Sequence, residues 1–182
     1  MARHILNNSS LTHLVLNDND FSIPDPRDSS CRYSGMQVKE MLYEVQCLIS
    51  YNQRLHNLKV ESCGVKDDLA KLFGIGMFQN KQLTSLSLAH NKLTDQFIKP
   101  FVAGLEKCNT MRELNLSHNS LGDLTARLFV HLLRTSNNQI VSLDLSNNML
   151  TKRVIGDLQL VIDDCPRIRY LNTDMNQGIS HA

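Results

Sequence analysis

The stretch LTSLSLAHNKL, Leu83 to Leu93, returns five more times with altered lettering, and that recurrence limits the fold more than any other feature of the chain. The copies are LTHLVLNDNDF from Leu11, LHNLKVESCGV from Leu55, MRELNLSHNSL from Met111, IVSLDLSNNML from Ile140 and IRYLNTDMNQG from Ile168. Their starts are separated by 44, 28, 28, 29 and 28 residues. A near-constant period with one insertion predicts a stacked-repeat architecture, in which each unit buries its apolar face against its neighbours. Leu fills the fourth position throughout, as Leu14, Leu58, Leu86, Leu114, Leu143 and Leu171. Apolar fourth and sixth positions alternate with mostly polar third, fifth and seventh ones, so each copy predicts a short strand with one buried face. The ninth position holds Asn19, Cys63, Asn91, Asn119, Asn148 and Asn176.

Between the strands, apolar residues three and four apart predict helices. One carries Val38, Met41, Leu42, Val45, Leu48 and Ile49, and another Val154, Leu158, Val161 and Ile162. Thr94 and Thr151 are expected as N-caps. Pro100, in the helical pattern QFIKPFVAGL, is expected to remove an amide donor and bend the first turns. An apolar residue closes each helix just before the next strand motif: Ile49, Met77, Leu105, Leu133 and Ile162, with Ile5 in the same column.

The pattern L-x-x-L-x-L-x-x-N/C-x-L resembles the leucine-rich repeat. A unit of 28 or 29 residues that alternates strand with full helix is similar to its ribonuclease-inhibitor-like class. The resemblance covers Ile5 to Gly178 and implies an α/β solenoid, a horseshoe segment with parallel strands on the concave face and helices on the convex face. Residues 1–182 are expected as a single leucine-rich-repeat domain. The resemblance also implies that the ninth-position side chain lies inside the turn after the strand and bonds to backbone of adjoining repeats.

The long first interval is filled by SIPDPRDSSCRYSGMQ, a loop insertion expected at about 22–37 because two of the four prolines fall in it. Loops of this length are often functional, which makes Arg27, Arg32 and Tyr33 candidate partner contacts. The chain reads as starting inside the last turn of a helix, so that missing repeats or another chain would cover its open edge. At the other end Thr173 and Gly178 replace the sixth- and eleventh-position apolar residues, as in a minimal cap.

Nineteen basic and 18 acidic residues leave a formal net charge of +1, which points to neither a nucleic-acid nor a membrane-surface partner. There is no apolar run of the roughly 20 residues that a membrane span needs. The five cysteines include no C-x-x-C pair, so reduced thiols are expected, in a cytoplasmic setting that is cytoskeletal or ciliary by family analogy. The sequence has no nucleophile elbow, phosphate loop or dinucleotide fingerprint, and no cofactor is expected. His90 and His118 share the eighth position of consecutive repeats and should stack, but two histidines fall short of a zinc site.

What remains is a surface. The expected protein-binding residues on the concave face are Asn57, Lys59, Glu61, Ser85, Ser87, Glu113, Asn115, Asp144, Tyr170 and Asp174. Four acids (Glu61, Glu113, Asp144, Asp174) against Lys59 favour a basic helix or tail as partner. The leading expectation is a non-catalytic protein-interaction or scaffold module within a larger assembly. The family resemblance also implies two alternatives, a GTPase regulator of the Ran GTPase-activating type and an axonemal or ciliary complex subunit.

Overall fold

The computed structural model describes residues 10–21, 35–134 and 139–176, without the side chains of residues 35–39, 41 and 42. Each copy of the motif contributes a strand: β1 His13–Val15, β2 Asn57–Lys59, β3 Ser85–Ser87, β4 Glu113–Asn115, β5 Ser142–Asp144 and β6 Tyr170–Asn172. The helices between them are α1 Gly35–Tyr51, α2 Asp67–Gln79, α3 Ile98–Lys107, α4 Asp123–Arg134 and α5 Lys152–Asp164. All six strands are parallel and lie in sequence order. The result is an open α/β solenoid, with the strands lining the concave side and the helices outside.

The register places Leu14, Leu58, Leu86, Leu114, Leu143 and Leu171 side by side on successive strands. Around this spine the core fills with Leu55, Val60, Leu83, Leu88, Leu116 and Leu145 from the strands, and with Phe73, Phe101, Phe129 and Leu158 from the helices, all buried. The pairing runs on past the three-residue strands. Val60 N donates to Ser87 O at 2.9 Å and Ser62 N to Ala89 O at 3.1 Å, and Leu88 and His90 repeat this one rung later. Each rung is therefore bonded to its neighbour from the third position to the eighth.

At the eighth position the chain turns sharply. Asp18, Ser62, His90, His118, Asn147 and Met175 all have φ between 52° and 59°, a left-handed conformation that costs an L-residue about 1–2 kcal/mol. The ninth-position residue holds this turn. Asn91 Nδ2 donates to Val60 O, Leu88 O and Ala89 O, and its Oδ1 accepts from Cys63 N and Val65 N at 3.0 Å each. Asn119, Asn148 and Asn176 each donate to the three corresponding carbonyls and accept from one amide, that of Leu93, Leu121 and Leu150. Cys63 takes this role with a thiol, directed at Leu16 O and Glu61 O. A second, smaller set closes the helices: Asn52 and Asn80 accept from the amides that lead into the next strand.

Three local expectations are corrected. Thr94 is not an N-cap, because α3 begins only at Ile98 after Phe97, and Thr151 sits at the cap position of α5 without a side-chain cap bond. Both hydroxyls instead donate to an aspartate of the preceding repeat, Thr94 to Asp67 at 2.7 Å and Thr151 to Asp123 at 2.9 Å. Asp95 does the same for Thr125 and also accepts from the Gly122, Leu124 and Thr125 amides, which caps α4 from one repeat away. Pro100 is the third residue of α3, in the first turn, where an amide has no intrahelical partner and none is lost. Helix α1 starts at Gly35, inside the loop expected at 22–37. The rest of that loop, with Arg27, Arg32 and Tyr33, lies outside the described residues, as do Ile5 and Gly178.

Helices α2 and α3 pack through glycine. A Cβ on Gly104 would lie 2.1 Å from Gly74 O, and one on Gly74 would lie 2.6 Å from Phe101 Cα. Replacing Gly104 with Ala therefore forces backbone apart, and a loss of about 2 kcal/mol or more is expected in urea unfolding. Asn91→Ala strands the Val60 carbonyl and the Cys63 and Val65 amides, while Leu88 O and Ala89 O keep Asn119 Nδ2 and Ser62 N, and should cost about 3 kcal/mol by the same measurement. Asn19, which is exposed and among the described residues bonds through its side chain only to Leu16 O and Asn17 O, should cost far less when replaced by Ala.

Candidate functional site

Because side chains alternate along each strand, the third, fifth and seventh positions form three rows across the concave wall. The third-position row runs His13, Asn57, Ser85, Glu113, Ser142 and Tyr170, and the fifth runs Val15, Lys59, Ser87, Asn115, Asp144 and Asn172, each in direct register. Asn57, Lys59, Glu61, Ser85, Ser87, Glu113, Asn115, Ser142, Asp144 and Tyr170 line one shallow depression of about 300 Å³. Nine of the ten concave-face residues expected from the sequence are thus brought together. The tenth, Asp174, lies outside it, exposed beyond β6.

The rows are not uniformly open. Lys59 and Glu113 are exposed, Asn57, Ser85, Asn115 and Asp144 are half-buried, and Tyr170 is 49% exposed. Ser87 is only 6% exposed, so it forms floor where the alternation predicted an outward side chain. Ser117, Ser146 and Ala89 in the seventh-position row are buried as well. The physical reason is side-chain length: a residue of two or three heavy atoms between longer neighbours one strand spacing away, about 4.8 Å, is covered by them.

Hydrogen bonds decide which groups stay available. Asn115 Oδ1 accepts from Ser117 N at 2.9 Å, and Asp144 Oδ1 accepts from Ser146 N and Ser146 Oγ at 2.9 and 2.7 Å. Asn172 Oδ1 accepts from Asp174 N in the same way. The fifth-position Asn or Asp therefore braces its own strand end two residues on, a role hidden in the sequence by its likeness to an ordinary exposed polar residue. Glu61 Oε2 accepts from Asn17 Nδ2 at 2.8 Å, which ties that carboxylate toward β1. Among the described residues no ion pair engages Lys59, Glu113 or Asp144. What this wall offers is hydrogen bonding and a surplus of carboxylate charge.

The rings of His90 and His118 do stack, with centroids 3.8 Å apart and planes at 14°. Among the described residues no group of three or more His, Cys, Asp or Glu is placed to hold a metal ion. No helix among them is long and apolar enough to cross a membrane.

Comparison with known proteins agrees with this architecture. The Leucine Rich repeat family pattern matches residues 79–96 and 107–126. No curated protein matches the chain. Among solved structures it is similar to Leiomodin-1 Actin-Binding Site 2, with a TM-score of 0.61 and 18% identity, over 90% of this chain and 88% of that one. It is also similar to the tropomodulin C-terminal domain of Caenorhabditis elegans, with a TM-score of 0.63 and 11% identity, over 89% and 91%. At these identities the likeness establishes the fold. The chain carries leucine-rich repeats and folds as a leucine-rich-repeat solenoid.

The described thiols divide by environment. Burial pushes the Cys63 thiol up from its ordinary value, and the nearby Asp18 and Glu61 charges act in the same direction, against backbone hydrogen bonds that lower it. Cys108 and Cys165 are buried too, whereas Cys47 on α1 is partly exposed. Its neighbour one turn back, Tyr43, has its phenol pushed up chiefly by a hydrogen bond with Cys47. Since thiolate is the reactive form, Cys47 should be alkylated by iodoacetamide well before Cys63, Cys108 and Cys165 in the native protein. Mass spectrometry of a time course checks the order.

Proposed function

We propose that this chain is a non-catalytic protein-binding module of a larger assembly, and that its partner docks a basic helix or tail on the concave wall. The observation that carries this reading is the wall's composition: three carboxylates and one ammonium around a single polar depression. Six strands at about 4.8 Å spacing span roughly 24–29 Å, enough to supply about 800 Å² to a standard interface. A wall braced by its own hydrogen bonds loses little freedom on binding, so modest side chains suffice. Asp174 and Tyr170 extend the docking surface past β6, and the cytoplasm is the proposed setting.

A second reading comes from the leiomodin neighbour, an actin-binding site on a similarly folded domain. It makes actin the partner and the cytoskeleton the place. The GTPase-regulator and ciliary alternatives have no observation of this structure in their favour.

The test is affinity capture from cell extract with the native protein and a Glu61→Gln, Glu113→Gln, Asp144→Asn, Asp174→Asn variant. Glu61→Gln keeps the acceptor that Asn17 uses and Asp144→Asn the one that Ser146 uses, with only the 3.3 Å contact from Asn172 lost, so the fold should survive and circular dichroism confirms it. Partner recovery should fall about tenfold or more as the charge-assisted bonds are lost. Undiminished recovery moves the interface off the wall. Co-sedimentation with filamentous actin tests the second reading, and acceleration of GTP hydrolysis by a small GTPase would overturn both.

A further inference from the structure

The third repeat differs from its neighbours in one respect. Its outward letters are Ser85, Ser87 and Ala89, so β3 offers the wall nothing longer than a hydroxymethyl group. On either side stand Asn57, Lys59 and Glu61 of the second repeat, and Glu113 and Asn115 of β4. A small-residue trough between longer side chains is not by itself a site. Here a second observation accompanies it: Ser87 is 6% exposed and lines the depression, yet among the described residues its Oγ has no hydrogen-bond partner. A buried hydroxyl left unpaired is destabilising, and a ligand atom reaching it would relieve that cost.

The groups beside Ser87 indicate the ligand. Asn115 is its direct neighbour in register, and Asp144 is the neighbour of Asn115 on the far side. Asn115 is folded down onto Ser117 N and half-buried, so it makes a low floor. Three acceptors surround that floor. Ser87 and Asp144 stand one strand spacing away on opposite sides, about 4.8 Å in the backbone, and Glu113 stands two residues back on the same strand, about 6.6 Å. Asp144 uses Oδ1 for Ser146, and its Oδ2 has only a 3.3 Å contact from Asn172, so a carboxylate with about four lone-pair directions keeps capacity to spare. The Glu113 carboxylate is exposed and engages no ion pair among the described residues.

Acceptors on three sides of a flat floor match a planar donor with several N–H groups. Resting on the concave-wall reading above, we infer that one arginine side chain of the partner polypeptide lies over Asn115, its guanidinium donating to Glu113, Asp144 and Ser87 Oγ. A guanidinium presents five N–H donors in a fixed plane and meets carboxylates two bonds at a time, whereas an ammonium concentrates its three donors at one point. The site therefore selects arginine over lysine, and the Lys59 ammonium beyond Ser87 turns toward solvent as the second cation arrives.

Capped five-residue peptides, with arginine, lysine or neutral citrulline between alanines, test this by amide NMR of the full chain at millimolar peptide. The arginine peptide should shift the Ser87, Glu113, Asn115 and Asp144 amides as one cluster. Lysine should bind several-fold more weakly, and citrulline should leave the cluster unmoved. Glu113→Gln should weaken arginine binding about tenfold and Ser87→Ala should weaken it measurably, with the rest of the spectrum unchanged. Equal shifts from arginine and citrulline, shifts centred elsewhere, or indifference to Glu113→Gln would overturn the inference. If the fourfold wall variant loses its partner while the arginine peptide misses this cluster, the wall reading stands and only the arginine site falls.

Discussion

From the third repeat on, a single ninth-position amide joins each rung of this solenoid to the one before it. Asn91 touches the backbone of its own repeat and of the one before, at five points through one side chain. No other residue type of that size has two donor hydrogens and a two-lone-pair acceptor on one planar group. The turn it stabilises is strained at the eighth position, where six non-glycine residues hold positive φ. Without the amide, that turn would carry both the strain and a set of buried backbone groups without partners. The leucine spine lines up the strands, but it does not dictate where the chain reverses, and the amide does.

Once the turns are fixed, the remaining geometry follows. Strands that all turn at the same residue stay in register over six rungs, and the sheet can then present rows of side chains as a regular grid. Helices on the outer side are wider than strands, so the sheet curves and the grid becomes a concave wall. Two devices adjust the outer layer: glycines let α2 and α3 approach closely, and aspartates 28 residues apart, Asp67, Asp95 and Asp123, each grip the following repeat. The concave wall is braced from behind by these two layers.

The sequence made some of this legible and concealed the rest. The strand positions, the leucine column and the stacking of His90 on His118 could be read from spacing, and the ninth-position role was implied by the resemblance to the leucine-rich repeat. The fate of Thr94 and Thr151 could not be read. A threonine before a helix is usually a cap, and only the arrival of an aspartate from another repeat gives its hydroxyl a better acceptor. Pro100 was misjudged because helix boundaries shift by a turn without changing apolar periodicity. The burial of Ser87 escaped because alternation tells which face a side chain takes and nothing about the length of the side chains standing next to it.

Taken alone, the sequence determined a periodic, parallel α/β stack, since a 28-residue spacing of leucine and asparagine can satisfy its apolar and amide groups together only by stacking on itself. It also determined the letters of the concave wall. The tertiary structure decided which of those letters remain free. Asn115, Asp144 and Asn172 bend onto amides two residues ahead, Glu61 is held by Asn17, and Ser87, between Lys59 and Asn115 in the register, is only 6% exposed. Availability of a group depends on distances between strands far apart in the chain, and those distances exist only after the repeats have packed.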